Sequence, residues 1–145
     1  MKAVNILLVE DNDGDILLTK EAFYEAKLHN EIAVVKDGEA ALDYLYRREK
    51  YEHDEAWTLP DMILLDINLP KVSGLEVLAE IKKDAQLKII PVIMLTTSES
   101  EKDIMTSYRH YANCYITKPV DLNKFLDVVK TIENFWISIV KLPFI

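Results

Sequence analysis

Val4-Asn5-Ile6-Leu7-Leu8-Val9, followed at once by Glu10 and Asp11, is the stretch on which the fold turns. A short, nearly continuous apolar run rich in branched residues and cut off by acids predicts a strand buried on both faces, as in a parallel sheet. Similar runs occur at Ile32 to Val35, Met62 to Leu65, Val92 to Leu95 and Cys114 to Ile116. Between them the apolar spacing becomes helical. Ile16, Leu17 and Phe23, continuing to Ala26 and Lys27, predict a first helix, and Ala40, Ala41, Tyr44 and Leu45 a second. Leu75, Val77, Leu78 and Ile81 mark a third, Ile104, Met105 and Tyr108 a fourth, and Leu122, Phe125, Leu126, Val129, Ile132 and Trp136 a fifth. Five strands alternating strictly with five helices predict a single doubly wound α/β domain over residues 1–145, its five-stranded parallel sheet covered by helices on both faces. Two segments stand apart. The charged connection from Arg47 to Leu59 is expected to prolong the second helix and then loop before Pro60, and residues 134–145 form an apolar C-terminal extension. No second, output domain is expected.

The composition agrees with one compact domain. A chain of 145 residues can bury roughly 70% of the surface it exposes when unfolded. Half its residues are hydrophobic and 29% charged, with three glycines and five prolines, which excludes disordered, collagenous and loop-rich scaffold classes. The single cysteine, Cys114, excludes an intramolecular disulfide and a cysteine-rich zinc site. Without a basic apolar leader or a run of 18 apolar residues, the expectation is a soluble protein of the reducing cytoplasm. Seventeen basic against 25 acidic residues give a net charge of -8, which repels nucleic acid and anionic membranes alike.

In open α/β sheets, ligands bind beyond the carboxyl ends of the strands. The residues just after the apolar runs are Glu10 and Asp11, Asp66, Thr96 and Lys118. Three carboxylates converging on one point require a counter-charge, and an all-oxygen site suits Mg²⁺ or Mn²⁺. Asp11 and Asp66 are expected as direct ligands and the backbone carbonyl of Asn68 as a further oxygen. Glu10, as the outer member of its pair, is expected to act through a bound water. Asp13 and Asp15 read as helix caps. An EF-hand is excluded, because its loop requires glycine and glutamate where this chain has Ile16 and Ala22. Asp66, turning sharply into Ile67-Asn68-Leu69-Pro70 with its carboxylate exposed, suits a nucleophile that attacks phosphorus to form an acyl phosphate. Lys118 supplies an ammonium and Thr96 a hydroxyl for the phosphoryl oxygens.

These residues carry a family resemblance. VEDN at Val9 to Asn12, LLDINLP at Leu64 to Pro70 with Gly74, LTTS at Leu95 to Ser98 and KP at Lys118 and Pro119 resemble the motifs of response-regulator receiver domains of two-component signalling. The spacings, 30 residues from Asp66 to Thr96 and 22 from Thr96 to Lys118, are similar to those of receivers. The resemblance implies a flavodoxin-like sheet of order 2-1-3-4-5, phosphoryl transfer to Asp66 from a histidine kinase phosphohistidine, and switching through Thr96 and the aromatic Tyr115. It also implies a cis bond between Lys118 and Pro119. The Arg47 to Leu59 connection, the LTTS motif and the tail from Phe135 to Pro143 resemble stand-alone receivers that partner phytochrome-type histidine kinases. Such a protein signals through a changed interaction surface and is not a turnover enzyme. Apolar residues left over on the fifth helix and tail, among them Val128, Phe135, Ile139, Leu142 and Phe144, predict a homodimer through the fourth helix, fifth strand, fifth helix and tail.

Two enzymatic or redox alternatives share this architecture. A flavin electron carrier needs a phosphate-binding loop after the first strand, where the acids of Glu10 to Asp15 repel phosphate. An aspartate-nucleophile phosphatase of the DxD type needs a general acid two residues after its nucleophile, where Asn68 stands. A passive interaction module would bind no metal and would tolerate loss of Asp66.

Overall fold

The structure, a computed structural model, describes residues 4–25, 30–97 and 100–118 together with Asn123 and Asp127. Five parallel strands, β1 (Val4–Val9), β2 (Asn30–Val35), β3 (Met62–Leu65), β4 (Val92–Thr96) and β5 (Cys114–Thr117), form one sheet in the order β2-β1-β3-β4-β5. Four helices are described: α1 (Asp13–Glu25), α2 (Gly38–Leu45), α3 (Gly74–Lys83) and α4 (Glu101–Arg109). This is the doubly wound arrangement expected from the alternation of runs, in the flavodoxin-like order that the receiver resemblance implies. Apart from Asn123 and Asp127, the expected fifth helix lies outside the described residues, as do the C-terminal extension and the Lys118 to Pro119 bond. No helix among the described residues is long and apolar enough to cross a membrane.

The pleat sorts each strand's side chains onto two apolar faces. Leu7, Val9, Ile63, Leu65, Val92 and Met94 pack with Ala41, Tyr44 and Leu45 of α2 and Val77, Leu78 and Ile81 of α3. Ile6, Leu8, Met62, Leu64, Ile93 and Leu95 pack on the other face with Ile16, Ala22 and Phe23 of α1. Each fully buried aliphatic or aromatic side chain contributes about 1.5–3 kcal/mol, so the central strands anchor the rim that carries the polar residues.

The helices begin where the sequence supplies side-chain acceptors. Asp37 Oδ1 accepts from the Ala40 N–H (2.6 Å), Ser73 Oγ from Glu76 (3.3 Å) and Ser100 Oγ from Asp103 (3.4 Å). At the start of α1 the cap is Asn12, whose Oδ1 accepts from the Asp15 N–H at 2.9 Å.

The charged connection does not prolong α2. The helix stops at Leu45 because Arg47 turns left-handed (φ 49°), its N–H donating to the Tyr44 carbonyl and that of Arg48 to the Asp43 carbonyl. This pairing is a Schellman end, a place normally taken by glycine. Here the arginine is held by its side chain: its guanidinium lies 4.9 Å from the Trp57 ring centroid and donates to the Tyr51 and Asp54 carbonyls. Trp57 Nε1 donates to the Tyr44 carbonyl (2.9 Å), and the Tyr44 hydroxyl to the Thr58 carbonyl (3.1 Å). The segment therefore folds back as an aromatic cluster against the end of α2.

Candidate functional site

Backbone hydrogen bonds that continue the sheet beyond its strands assemble the polar rim. The Glu10 N–H donates to the Val35 carbonyl (3.0 Å), the Asp66 N–H to Val9 (3.1 Å) and the Lys118 N–H to Thr96 (2.7 Å). Each residue is thus placed by the strand beside it, and residues far apart in the chain meet at one end of the sheet. Lys118 Nζ donates to Glu10 Oε1, Asp15 Oδ2 (2.9 Å) and Asp66 Oδ2 (3.0 Å). Its side chain is only 8% exposed.

The carboxylates differ from the expectations in three respects. Glu10, not Asp11, is the inner member of the pair: Glu10 is buried and Asp11 exposed. Its position follows from the hydrogen bond that extends β1 alongside β2, which turns the longer side chain inward toward Lys118. Asp66 is recessed instead of exposed, because the chain after β3 folds over it. Its Oδ1 accepts the N–H of Ile67 (2.7 Å) and, more weakly, that of Asn68 (3.4 Å), leaving Oδ2 toward the lysine. Asp15 is more than a helix cap. It belongs to the site through Lys118, while Asp13 pairs with the exposed Lys36 at 2.5 Å. The one sequence signal for Asp15 was its place one helical turn after the acidic pair.

Burial pushes the Glu10 carboxyl from 4.5 up to about 7, against the opposing hydrogen bond and charge of Lys118. For Lys118, burial alone would lower the pKa, but the hydrogen bonds it donates to Glu10 and Asp15 and the charge of Asp66 outweigh it and raise it. The ammonium is therefore charged throughout the neutral range. One carboxylate oxygen from each of Glu10, Asp11 and Asp66 lies within 4.8 Å of the others. This hard, all-oxygen donor set fits a divalent cation such as Mg²⁺ or Mn²⁺.

The remaining expected residues lie around this centre. Thr96 is the last residue of β4, one residue further into the strand than expected, and is fully buried. Tyr115, in β5, is partly buried against the face that carries α3, and its N–H donates to the Tyr108 hydroxyl at 3.2 Å. Asn68 is exposed just beyond Asp66. The loop over Asp66 is locked to α3 by Gly74, whose N–H donates to the Ile67 carbonyl at 2.8 Å.

Comparisons with known proteins agree with this fold. Residues 6–130 match the family model described as the response regulator receiver domain. The chain is 44% identical over 138 residues to the response regulator Rcp1 of Synechocystis sp., covering 95% of this chain and 92% of that protein. It is 41% identical over 133 residues to the probable methanogenesis regulatory protein FilR2 of Methanothrix harundinacea, covering 92% and 83%. Among solved structures, the phosphorylated cyanobacterial phytochrome response regulator RcpA superimposes with a TM-score of 0.91 at 47% identity, covering 98% of this chain and 99% of that one. The Mn²⁺-bound form of Rcp1 gives 0.89 at 44% identity, covering 97% and 99%. With the sheet order, the acidic cluster at the strand ends and the family match over most of its length all in agreement, this chain belongs to the response regulator receiver domain family of two-component signalling.

Proposed function

We propose that this receiver accepts a phosphoryl group on Asp66 from the phosphohistidine of a histidine kinase and signals through the surface that changes as a result. The observation that carries the reading is Lys118 Nζ held by Glu10, Asp15 and Asp66 beside the three-carboxylate cluster. An Asp66 carboxylate oxygen attacks phosphorus, an O–P bond forms, the P–N bond to the kinase imidazole breaks, and its electron pair stays on the ring nitrogen. Lys118 neutralises charge on the phosphoryl oxygens, and the Thr96 hydroxyl is the expected further donor. Glu10, Asp11 and Asp66, with the Asn68 carbonyl as a further oxygen, would hold a divalent cation (Mg²⁺, or Mn²⁺ in its place), which would supply positive charge against the same oxygens.

Phosphorylation adds up to about two negative charges. Movement of Thr96 toward the phosphoryl oxygens, with Tyr115 turning behind it, would carry that change to α4 and β5. Met105 and Tyr108 of α4, each about half exposed, support self-association through that helix. Asn68 gives no general base two residues after Asp66, so hydrolysis of the phosphoryl group should be slow and the protein a signal carrier, not a turnover enzyme. Similarity to Rcp1 and RcpA favours a phytochrome-type kinase as the donor, acting in the cytoplasm.

Incubation with acetyl phosphate and Mg²⁺, followed by intact-mass measurement, tests the assignment. One base-labile phosphoryl addition is expected on the wild type and none on Asp66→Asn. Equal labelling of both would overturn it.

A further inference from the structure

In the resting site every hydrogen of the Lys118 ammonium is already taken. A lysine ammonium carries three N–H donors. Glu10, Asp15 and Asp66 take one each. A phosphoryl oxygen arriving at Asp66 can gain a hydrogen bond from Lys118 only if one of these partners gives its own up.

The three differ in what release would leave behind. The Glu10 and Asp66 side chains are 3% and 8% exposed, so in the metal-free, unphosphorylated site either would become a buried carboxylate without its counter-charge. The Asp15 side chain is 36% exposed, so water can take the place of the lysine. Its backbone does not have to move. The Asp15 N–H donates to Asn12 Oδ1 (2.9 Å), and its carbonyl accepts from Thr19 Oγ1 (2.8 Å), which pins the first turn of α1 while the carboxylate rotates.

We propose that Asp15 is the exchangeable counter-ion of Lys118, a positioning residue that holds one ammonium hydrogen in the resting chain and yields it to a phosphoryl oxygen on Asp66. The inference rests on the phosphoacceptor reading and extends it: Asp15 restrains the site, so its loss speeds phosphorylation. An asparagine competes less well for the ammonium and removes one negative charge that repels the anionic donor.

The test follows phosphorylation by acetyl phosphate over a range of donor concentrations in wild type, Asp15→Asn, Asp15→Glu and the control Asp13→Asn. Asp66 forms the O–P bond and acetate leaves with the electron pair of the broken bond. Asp13 is the right control because it carries the same charge but pairs with Lys36 in the open. Asp15→Asn should raise the rate at low donor concentration about fivefold, the factor for roughly 1 kcal/mol. Beryllium fluoride should bind more tightly by a similar factor. Asp15→Glu should restore wild-type behaviour, and Asp13→Asn should change neither reading by comparison. Thermal unfolding of each variant separates these effects from misfolding. If Asp15→Asn matches Asp13→Asn, or is slower than wild type, the inference fails while the phosphoacceptor reading stands. A wild type that takes up no phosphoryl group overturns both.

Discussion

A methyl group on Gly74 would come within 1.9 Å of the Asp66 carbonyl oxygen, so the start of α3 and the candidate phosphoacceptor are in direct backbone contact. No side-chain rotation relieves a clash with main-chain atoms. Gly74→Ala should therefore destabilise the fold by about 1–3 kcal/mol or more and slow Asp66 labelling in whatever fraction folds. Urea unfolding together with intact-mass labelling checks both, and a variant of wild-type stability would show that the loop gives way freely.

Glu10 sets the sign of a pH dependence. Its folded pKa, about 7, lies above its ordinary 4.5, so the metal-free fold holds this proton more tightly than the unfolded chain does. The stability it contributes is complete below the ordinary value and is lost as pH rises to about 7. Relative to Glu10→Gln, the wild type should lose unfolding free energy across that window in the presence of a chelator. Cation binding needs the ionised carboxylate, so Mg²⁺ affinity should weaken by up to about tenfold per pH unit below about 7. A pH-independent affinity would contradict this.

Removing Lys118 leaves several carboxylates facing one another with two of them buried. Lys118→Met should cost roughly 3 kcal/mol in metal-free buffer, with part of the loss recovered on adding Mg²⁺. Denaturant titrations with and without the cation measure the recovery. Equal loss in both conditions would mean that the lysine acts through packing.

The Arg47 to Leu59 segment depends on Trp57, which receives the Arg47 guanidinium over its ring and donates to the Tyr44 carbonyl. Trp57 is only partly buried, so Trp57→Ala should cost less than a full core truncation, about 1–3 kcal/mol. Because the cluster packs at the end of α2, away from the Lys118 centre, labelling of Asp66 should be unaffected under conditions where the variant is folded. Loss of labelling in a stably folded variant would tie the segment to the site.

Much of this architecture could be read locally. Val4–Val9 and Met62–Leu65 are strands over the same residues as their apolar runs, because a nearly continuous branched apolar segment ending in acids has few other ways to bury itself. The convergence of Glu10, Asp66, Thr96 and Lys118 followed from one rule of parallel sheets, that strand ends share a rim. The left-handed end of α2 at Arg47 escaped that reading, because its cap is an arginine held by a ring ten residues later and not a glycine.

The surroundings of the individual carboxylates exist only in the tertiary structure. Asp11 and Glu10 are neighbours in sequence, yet one faces solvent and the other lies buried against Lys118. Asp15 resembles any acid in a first helical turn until β5 brings Lys118, 103 residues away, to 2.9 Å from it. Hydrophobic periodicity records which face of an element is covered. The chemistry of a charged group depends on its distance to the opposite charge and on how much water remains around both, and those quantities exist only once the separate strands stand side by side.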